Sequence, residues 1–270
     1  MIFPRNFPVT AKILSRVPRP VAEKCFNFLK NPRQIPSMIW GDTHLSSPSK
    51  TQLSPLTKEV CAEYSPATSH IINKTLLEYP SRPRTSQLNR ASQILLESGN
   101  LASTKYHIPL LASTIVGQGK TYRQAQIDVA ELIDFWNFNA YYIQKLKDEQ
   151  PLYPLSEAEC GVFRNSIEYL PLDGLTVAIT PFNFTAIGGN LASLPAVLGN
   201  PTVWKPSDNS VLSNYIVYEI LMEAGLNPKL LSFLPSEKDD FSKVLKHRDL
   251  IGLSYQMASK QLGYLEPQVN

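Results

Sequence analysis

Four short apolar runs, "TVAI", "TVW", "LLSFL" and "IGLSY", recur between Thr176 and Tyr255 with longer helical segments between them. A run of apolar residues without polar alternation fits a strand covered on both faces, the usual state of a parallel strand. The intervening segments are "AIGGNLASLPAVLGN", "SVLSNYIVYEILMEAG" and "KDDFSKVLKHRD". Strand–helix–strand units repeating every 20–30 residues or so predict right-handed crossovers in a parallel sheet, the α/β arrangement of a nucleotide-binding fold. The middle helix is well punctuated. Ser207 or Asp208 can cap its start, Gly225 its end, and Pro228 stops it continuing.

The earlier part of the chain has a different grammar. Pro occurs 22 times in the whole chain, and many of these lie in the first third, which predicts loops and short elements. "MIWGDTHL" and "VCAEYSP" fit short strands. "SQLNRASQILLESGN" places Leu88, Ala91, Leu95 and Leu96 near one helical face and closes on Gly99 as a C-cap. "TYRQAQIDVAELIDFWNFNAYYIQKL" predicts a long amphipathic helix, with Ile127, Leu132, Ile133, Phe135, Trp136 and Tyr142 among its apolar positions.

Charge and cysteine use exclude several classes of function. The net charge is +3, but residues 1–30 hold six basic residues against Glu23 alone, so the remainder is slightly acidic. That leaves no basic surface for nucleic acid. No apolar run is long enough to span a membrane. The Arg-bearing, acid-poor start "MIFPRNFPVTAKILSRVPRP" fits a mitochondrial presequence or a basic tail, and either would stand outside the fold. Cys25, Cys61 and Cys160 are widely spaced, and His44, His70, His107 and His247 are scattered, so neither a disulfide framework nor a metal site is indicated.

"VGQGKT" at Val116–Thr121 imitates the end of a phosphate-binding loop. That loop needs glycine at position 114, which is Thr, and a buried strand before it, where the sequence predicts a helix end. A glycine turn between two helices is the plainer reading.

The chemistry lies at the strand tips. "TVAITPFNF" puts Asn183 in the turn after a strand, where side chains project into the ligand crevice of an open parallel sheet. A carboxamide donates hydrogen bonds without bringing charge. It therefore suits an oxygen that turns anionic in a transition state, where one donor can contribute about 3–4 kcal/mol. Pro181 would fix this turn, while Phe182 and Phe184 would exclude water and steady the amide. The bare tripeptide equally fits an Asx turn that merely starts the next helix. On the neighbouring strand, "WKPSD" places Lys205 at the carboxyl edge, able to meet a ribose hydroxyl or a phosphate.

The stretch "PFNFTAIGGNLASLPAVLGNPTVWKPSDNSVLSNYIVYEILMEAGLNP" resembles the aldehyde dehydrogenase superfamily, and within it the mitochondrial 1-pyrroline-5-carboxylate (glutamate-semialdehyde) dehydrogenases. "VGQGKT" and "AELIDFWNFNA" are phrases of the same branch. The resemblance runs from about Met38 to Ser254 and is specific over Thr114–Leu253. It implies oxidation of a small aldehyde with NAD in the mitochondrial matrix. In that chemistry a cysteine thiolate adds to the carbonyl, an Asn amide holds the oxyanion, a hydride passes to the nicotinamide, and water releases the thioester. Asn183 matches the oxyanion donor. Thr180 stands where the branch usually carries a cofactor-contacting serine. Lys205 matches the lysine at the adenosine ribose, with Ser207 and Asp208 as lesser candidates beside it.

After "LIGLSY" the resemblance implies a Thr-Gly-Ser turn, a glutamate base and a cysteine nucleophile, but the chain reads "SYQMASKQLGYLEPQVN". The expected organisation is a presequence over 1–30, N-terminal strands and helices over 31–170, a partial NAD-binding Rossmann-like domain over 171–253, and a divergent tail over 254–270. Such a chain is expected to be inactive alone, with an exposed sheet edge. It would be an incomplete record of an enzyme, a truncated paralogue that joins a full-length dehydrogenase in an oligomer, or an NAD-binding module.

Overall fold

In the computed structural model, residues 16–46, 49–151 and 165–256 are described. The chain is α/β, as the apolar runs require. The parallel strands are β6 (Leu175–Ile179), β7 (Thr202–Lys205), β8 (Leu231–Phe233) and β9 (Leu250–Tyr255). They lie side by side in the order β8-β7-β6-β9. Between them run α6 (Thr185–Val197), α7 (Val211–Glu223) and α8 (Lys238–Leu245).

The first third contributes to the same sheet. Strand β2 (Ser37–Ile39) pairs antiparallel with β8, and β3 (Asp42–His44) with β2, giving six strands. A separate sheet joins β1 (Arg33–Ile35) in parallel and β4 (Lys50–Leu53) antiparallel to β5 (Val60–Tyr64).

Two cores explain why the inner strands are mostly apolar, with Thr176, Thr202 and Ser232 as their buried polar residues. Ala178, Trp204 and Phe233 face one core, while Leu175, Val177, Ile179 and Val203 face the other. Successive strand residues point to opposite sides, so a sheet covered twice favours apolar residues on both faces of each strand. The first core includes residues of α1 (Arg19–Lys30), α3 (Leu88–Ser103), α4 (His107–Gln118), α5 (Tyr122–Asp148), α6 and α7; the second includes residues of α2 (Ser69–Leu77) and α8.

Several expectations change here. Residues 1–15 lie outside the described residues, but the chain does not stand outside the fold as far as residue 30. Helix α1 buries Val21, Ala22, Cys25 and Phe28. Gly99 does not cap α3, which continues to Ser103. A Cβ at Gly99 would sit 3.1 Å from the Asn137 Oδ1, so the glycine instead lets α3 approach α5. Leu96, Ile127 and Tyr142 point to solvent. Gly119 ends α4 at φ +72°, and Thr121 opens α5 with a capping box to Gln124, so "VGQGKT" is a helix–turn–helix junction. Neither Ser207 nor Asp208 caps α7 through its side chain. A 3-10 turn at Asp208–Ser210 intervenes, and Gln52 of β4 accepts from the Leu212 N–H at 2.8 Å.

Candidate cofactor cleft and oxyanion turn

At the carboxyl edge of the parallel strands, a cleft of about 620 Å³ is lined by Thr180 and Asn183 from the β6 tip and by Lys205, Ser207 and Asp208 from the β7 tip. The parallel register sets Ile179 beside Lys205, so both chains leave the sheet at one level. The tips are also bonded together. The Thr180 N–H donates to the Lys205 carbonyl at 3.1 Å, and the Ser210 hydroxyl to the Pro181 carbonyl at 3.3 Å. All five residues singled out in the sequence therefore share one cleft.

Their environments differ. Thr180 is buried, and its hydroxyl oxygen accepts from the Trp204 indole N–H at 3.0 Å, leaving the hydroxyl proton as the group it could offer. Lys205 lies over the Phe241 ring, 6.0 Å from its centroid, and its ammonium makes no hydrogen bond among the described residues. Burial holds its pKa below the ordinary value, against the attraction of Asp208; Lys50 and Lys238 depress it further. A half-buried cation without a hydrogen-bond acceptor is costly to the fold and ready for a ligand oxygen. Asp208 also lies near the Tyr64 hydroxyl, whose pKa is raised by burial and by that carboxylate.

Asn183 corrects one expectation. Phe182 is 57% exposed and Asn183 is exposed, so the two phenylalanines do not enclose the amide. Only Phe184 packs against the core. The Asx-turn alternative also fails: the Asn183 side chain makes no hydrogen bond among the described residues, and Phe184 is the N-cap of α6, with no side-chain cap.

The α6 N-terminus is instead served from α5. Asp128, 1% exposed, accepts from the Thr185 N–H at 3.1 Å through Oδ2 and from the Ala186 N–H at 2.8 Å through Oδ1. Lys120 of the glycine turn pairs with that carboxylate and lies 4.7 Å from the Phe184 ring centroid. Gln118 donates to the Thr185 hydroxyl at 2.8 Å. Sequence reasoning missed Asp128, Lys120 and Gln118. The available signal was an apolar residue at the cap position, which obliges the orphan N–H groups to find a distant acceptor.

A second cleft, about 720 Å³, opens beside the start of β6 and is lined in part by Arg82, Arg84, Asp173, His247 and Arg248. It lies at the opposite edge from the one where parallel sheets bind ligands.

Of the described cysteines, Cys25 and Cys61 are fully buried, and desolvation pushes both thiols up to about 12. Neither can supply a thiolate at neutral pH. Cys160 lies outside the described residues. Among the described residues no cluster of His, Cys, Asp or Glu could hold a metal ion, and no helix is long and apolar enough to cross a membrane.

A doubly covered parallel sheet with polar side chains gathered at adjacent strand tips has its cleft where open α/β sheets bind their ligands. The sequence profile of the Aldehyde dehydrogenase family matches residues 46–264. The chain belongs to the aldehyde dehydrogenase family. That match begins later than Met38 and runs ten residues beyond Ser254, into residues outside those described.

The chain is similar to the mitochondrial delta-1-pyrroline-5-carboxylate dehydrogenase of Emericella nidulans, 40% identical over 245 residues that cover 88% of this chain and 42% of that one. Its counterpart in Homo sapiens is 36% identical over 276 residues, covering 98% and 47%. The crystal structure of the Mycobacterium tuberculosis Delta-pyrroline-5-carboxylate dehydrogenase aligns with a TM-score of 0.81 at 28% identity, covering 100% of this chain and 51% of that one. The same enzyme bound with NAD aligns at a TM-score of 0.79 and 26% identity, covering 100% and 49%. The chain thus spans about half the length of the relatives it matches.

Proposed function

We propose that this chain is the cofactor-binding half of an NAD-dependent 1-pyrroline-5-carboxylate dehydrogenase, serving the oxidation of glutamate semialdehyde to glutamate in proline catabolism within the mitochondrial matrix. The observation that carries it is the meeting of Thr180, Asn183, Lys205, Ser207 and Asp208 in one cleft at the strand tips. The residues present fit a dinucleotide. Lys205 offers a half-buried ammonium lacking a hydrogen-bond acceptor among the described residues, and Asp208 offers an acceptor beside it. NAD, when bound, supplies the hydride acceptor. This chain's own residues hold and orient: Lys205 and Asp208 the adenosine ribose, Thr180 the cofactor at the sheet edge, and Asn183 the carbonyl oxygen of a small aldehyde as it gains charge. Names of mitochondrial relatives support the location.

The 270 residues alone should not turn over, because burial keeps Cys25 and Cys61 as thiols and Cys160 precedes β6. Calorimetry with NAD should give a saturable heat that Lys205→Ala abolishes; an unchanged heat in that variant would sink the assignment. Glutamate semialdehyde and NAD should yield no NADH with the chain by itself.

The sheet edge favours a second reading, in which the chain associates with a longer dehydrogenase through that edge. Among the described residues β9 pairs only with β6, leaving its outer edge open with Ile251 and Tyr255 exposed. Open edges accept strands of other chains. Co-purification with a longer relative, lost when β9 carries a proline, would support it.

A further inference from the structure

We propose that Lys120 and Asp128 are positioning residues for the Asn183 carboxamide, acting through the first turn of α6. This rests on the reading of Asn183 as an oxyanion donor.

Asn183 has no hydrogen bond of its own among the described residues and no enclosing aromatic pair, yet an oxyanion donor contributes only if it is held before the charge develops. Its restraint must therefore come through the backbone. Two residues further on, the Thr185 N–H is bonded to Asp128 Oδ2, and the next N–H, of Ala186, to Oδ1. The carboxylate is bidentate to two consecutive orphan donors at a helix start, where negative charge is favoured. Two bonds from one rigid group fix the orientation of that turn as well as its position.

Asp128 is in turn held by Lys120, whose side chain is 11% exposed. The Lys120 ammonium also lies over the Phe184 ring, 4.7 Å from its centroid, so one cation grips both the carboxylate and the residue between Asn183 and Thr185. Phe184 is thus restrained by its side chain and Thr185 by its N–H. The hydroxyl of Thr185 is bonded as well, donating to Ser213 at 2.9 Å and accepting from Gln118 at 2.8 Å. Gln118 and Lys120 come from the junction between α4 and α5, and Asp128 from two turns into α5. The glycine turn that imitates a phosphate loop holds a helix start through the Asp128 carboxylate.

The test uses the intact, isotopically labelled chain without ligand. Variants Lys120→Met and Asp128→Asn are compared with Lys120→Arg, which keeps the charge. Amide hydrogen exchange is read at Thr185 and Ala186 against Val177 and Val203, and the order parameter of the Asn183 side-chain amide is measured under conditions where each chain is folded. The expected result for Lys120→Met and Asp128→Asn is exchange at least about tenfold faster at Thr185 and Ala186 relative to the strand amides. A lower Asn183 order parameter should accompany it in both variants, with both effects largely restored in Lys120→Arg. If Asp128→Asn cannot be recovered folded, the two Lys120 variants decide by the same criterion. Exchange that changes only in proportion to Val177 and Val203, with an unchanged Asn183 order parameter, overturns the proposal and leaves the pair a structural one. Ligand is absent throughout, so this outcome is separable from a failure of NAD to bind.

Discussion

At the tip of β7 the Lys205 ammonium is closed in by Phe241 and the cleft wall, whereas at the tip of β6 the Asn183 carboxamide stands in solvent with no hydrogen-bond partner among the described residues. The first group is placed by burying it, at a cost to its charge. The second is placed by anchoring the backbone that follows it, through Asp128 and the Thr185 and Ala186 N–H groups. A binding group can tolerate desolvation because its ligand later supplies the missing partner. A group meant to meet a developing charge must stay open to the substrate, so its restraint comes from elsewhere.

The largest expected effect breaks the anchor. Asp128→Ala leaves Lys120 buried without its partner and orphans two N–H groups, which should cost roughly 3–5 kcal/mol of folding free energy in urea titration. A loss under about 1 kcal/mol would mean the anchor is not holding a buried charge. Next comes the seam between the two tips. A Cβ at Gly188 would meet the Asn214 Oδ1 at 2.7 Å, joining the helix after one tip to the helix after the other. Gly188→Ala should therefore destabilise by about 1–3 kcal/mol by overpacking.

Lys205 tests the opposite tip with the opposite sign. Its folded-state pKa is depressed, so the unfolded chain binds more protons between that value and the ordinary 10.5. Stability attributable to Lys205 should rise with pH across that window, while at neutral pH the burial penalty is in full force. Lys205→Met should then raise stability at neutral pH and flatten the alkaline slope while removing NAD binding. Equal or lower stability in urea would contradict the account of this tip. The smallest effect belongs to Asn183→Ala, expected to change stability by less than about 0.5 kcal/mol because the side chain is exposed and unbonded.

The same contrast marks what the sequence disclosed. Strands β6, β7 and β8 were legible because burial on both faces favours apolar runs without polar alternation, and the crossover rule then places their tips together. Gly119 and Gly225 were legible as helix ends because their positive φ is a local requirement. Gly99 misled, since a glycine chosen for close helix approach looks like one chosen for a cap. The caps themselves were hidden: Asp128 serves a helix start 57 residues away and Gln52 one 160 residues away, and no local pattern encodes such partners. The exposure of Phe182 was equally unreadable, because a turn has no period from which to infer a direction. Likewise, β2 and β3 joining the main sheet depends on long-range pairing that short strands of ordinary composition do not announce.

That both tips serve one dinucleotide is tested most directly by titrating NAD into the labelled chain and following backbone amide shifts. Thr180 and Asn183 should move together with Lys205, Ser207 and Asp208 along a single saturation curve. Shifts confined to one tip, or gathered around Arg82 and Arg84 at the far edge of the sheet, would contradict the account.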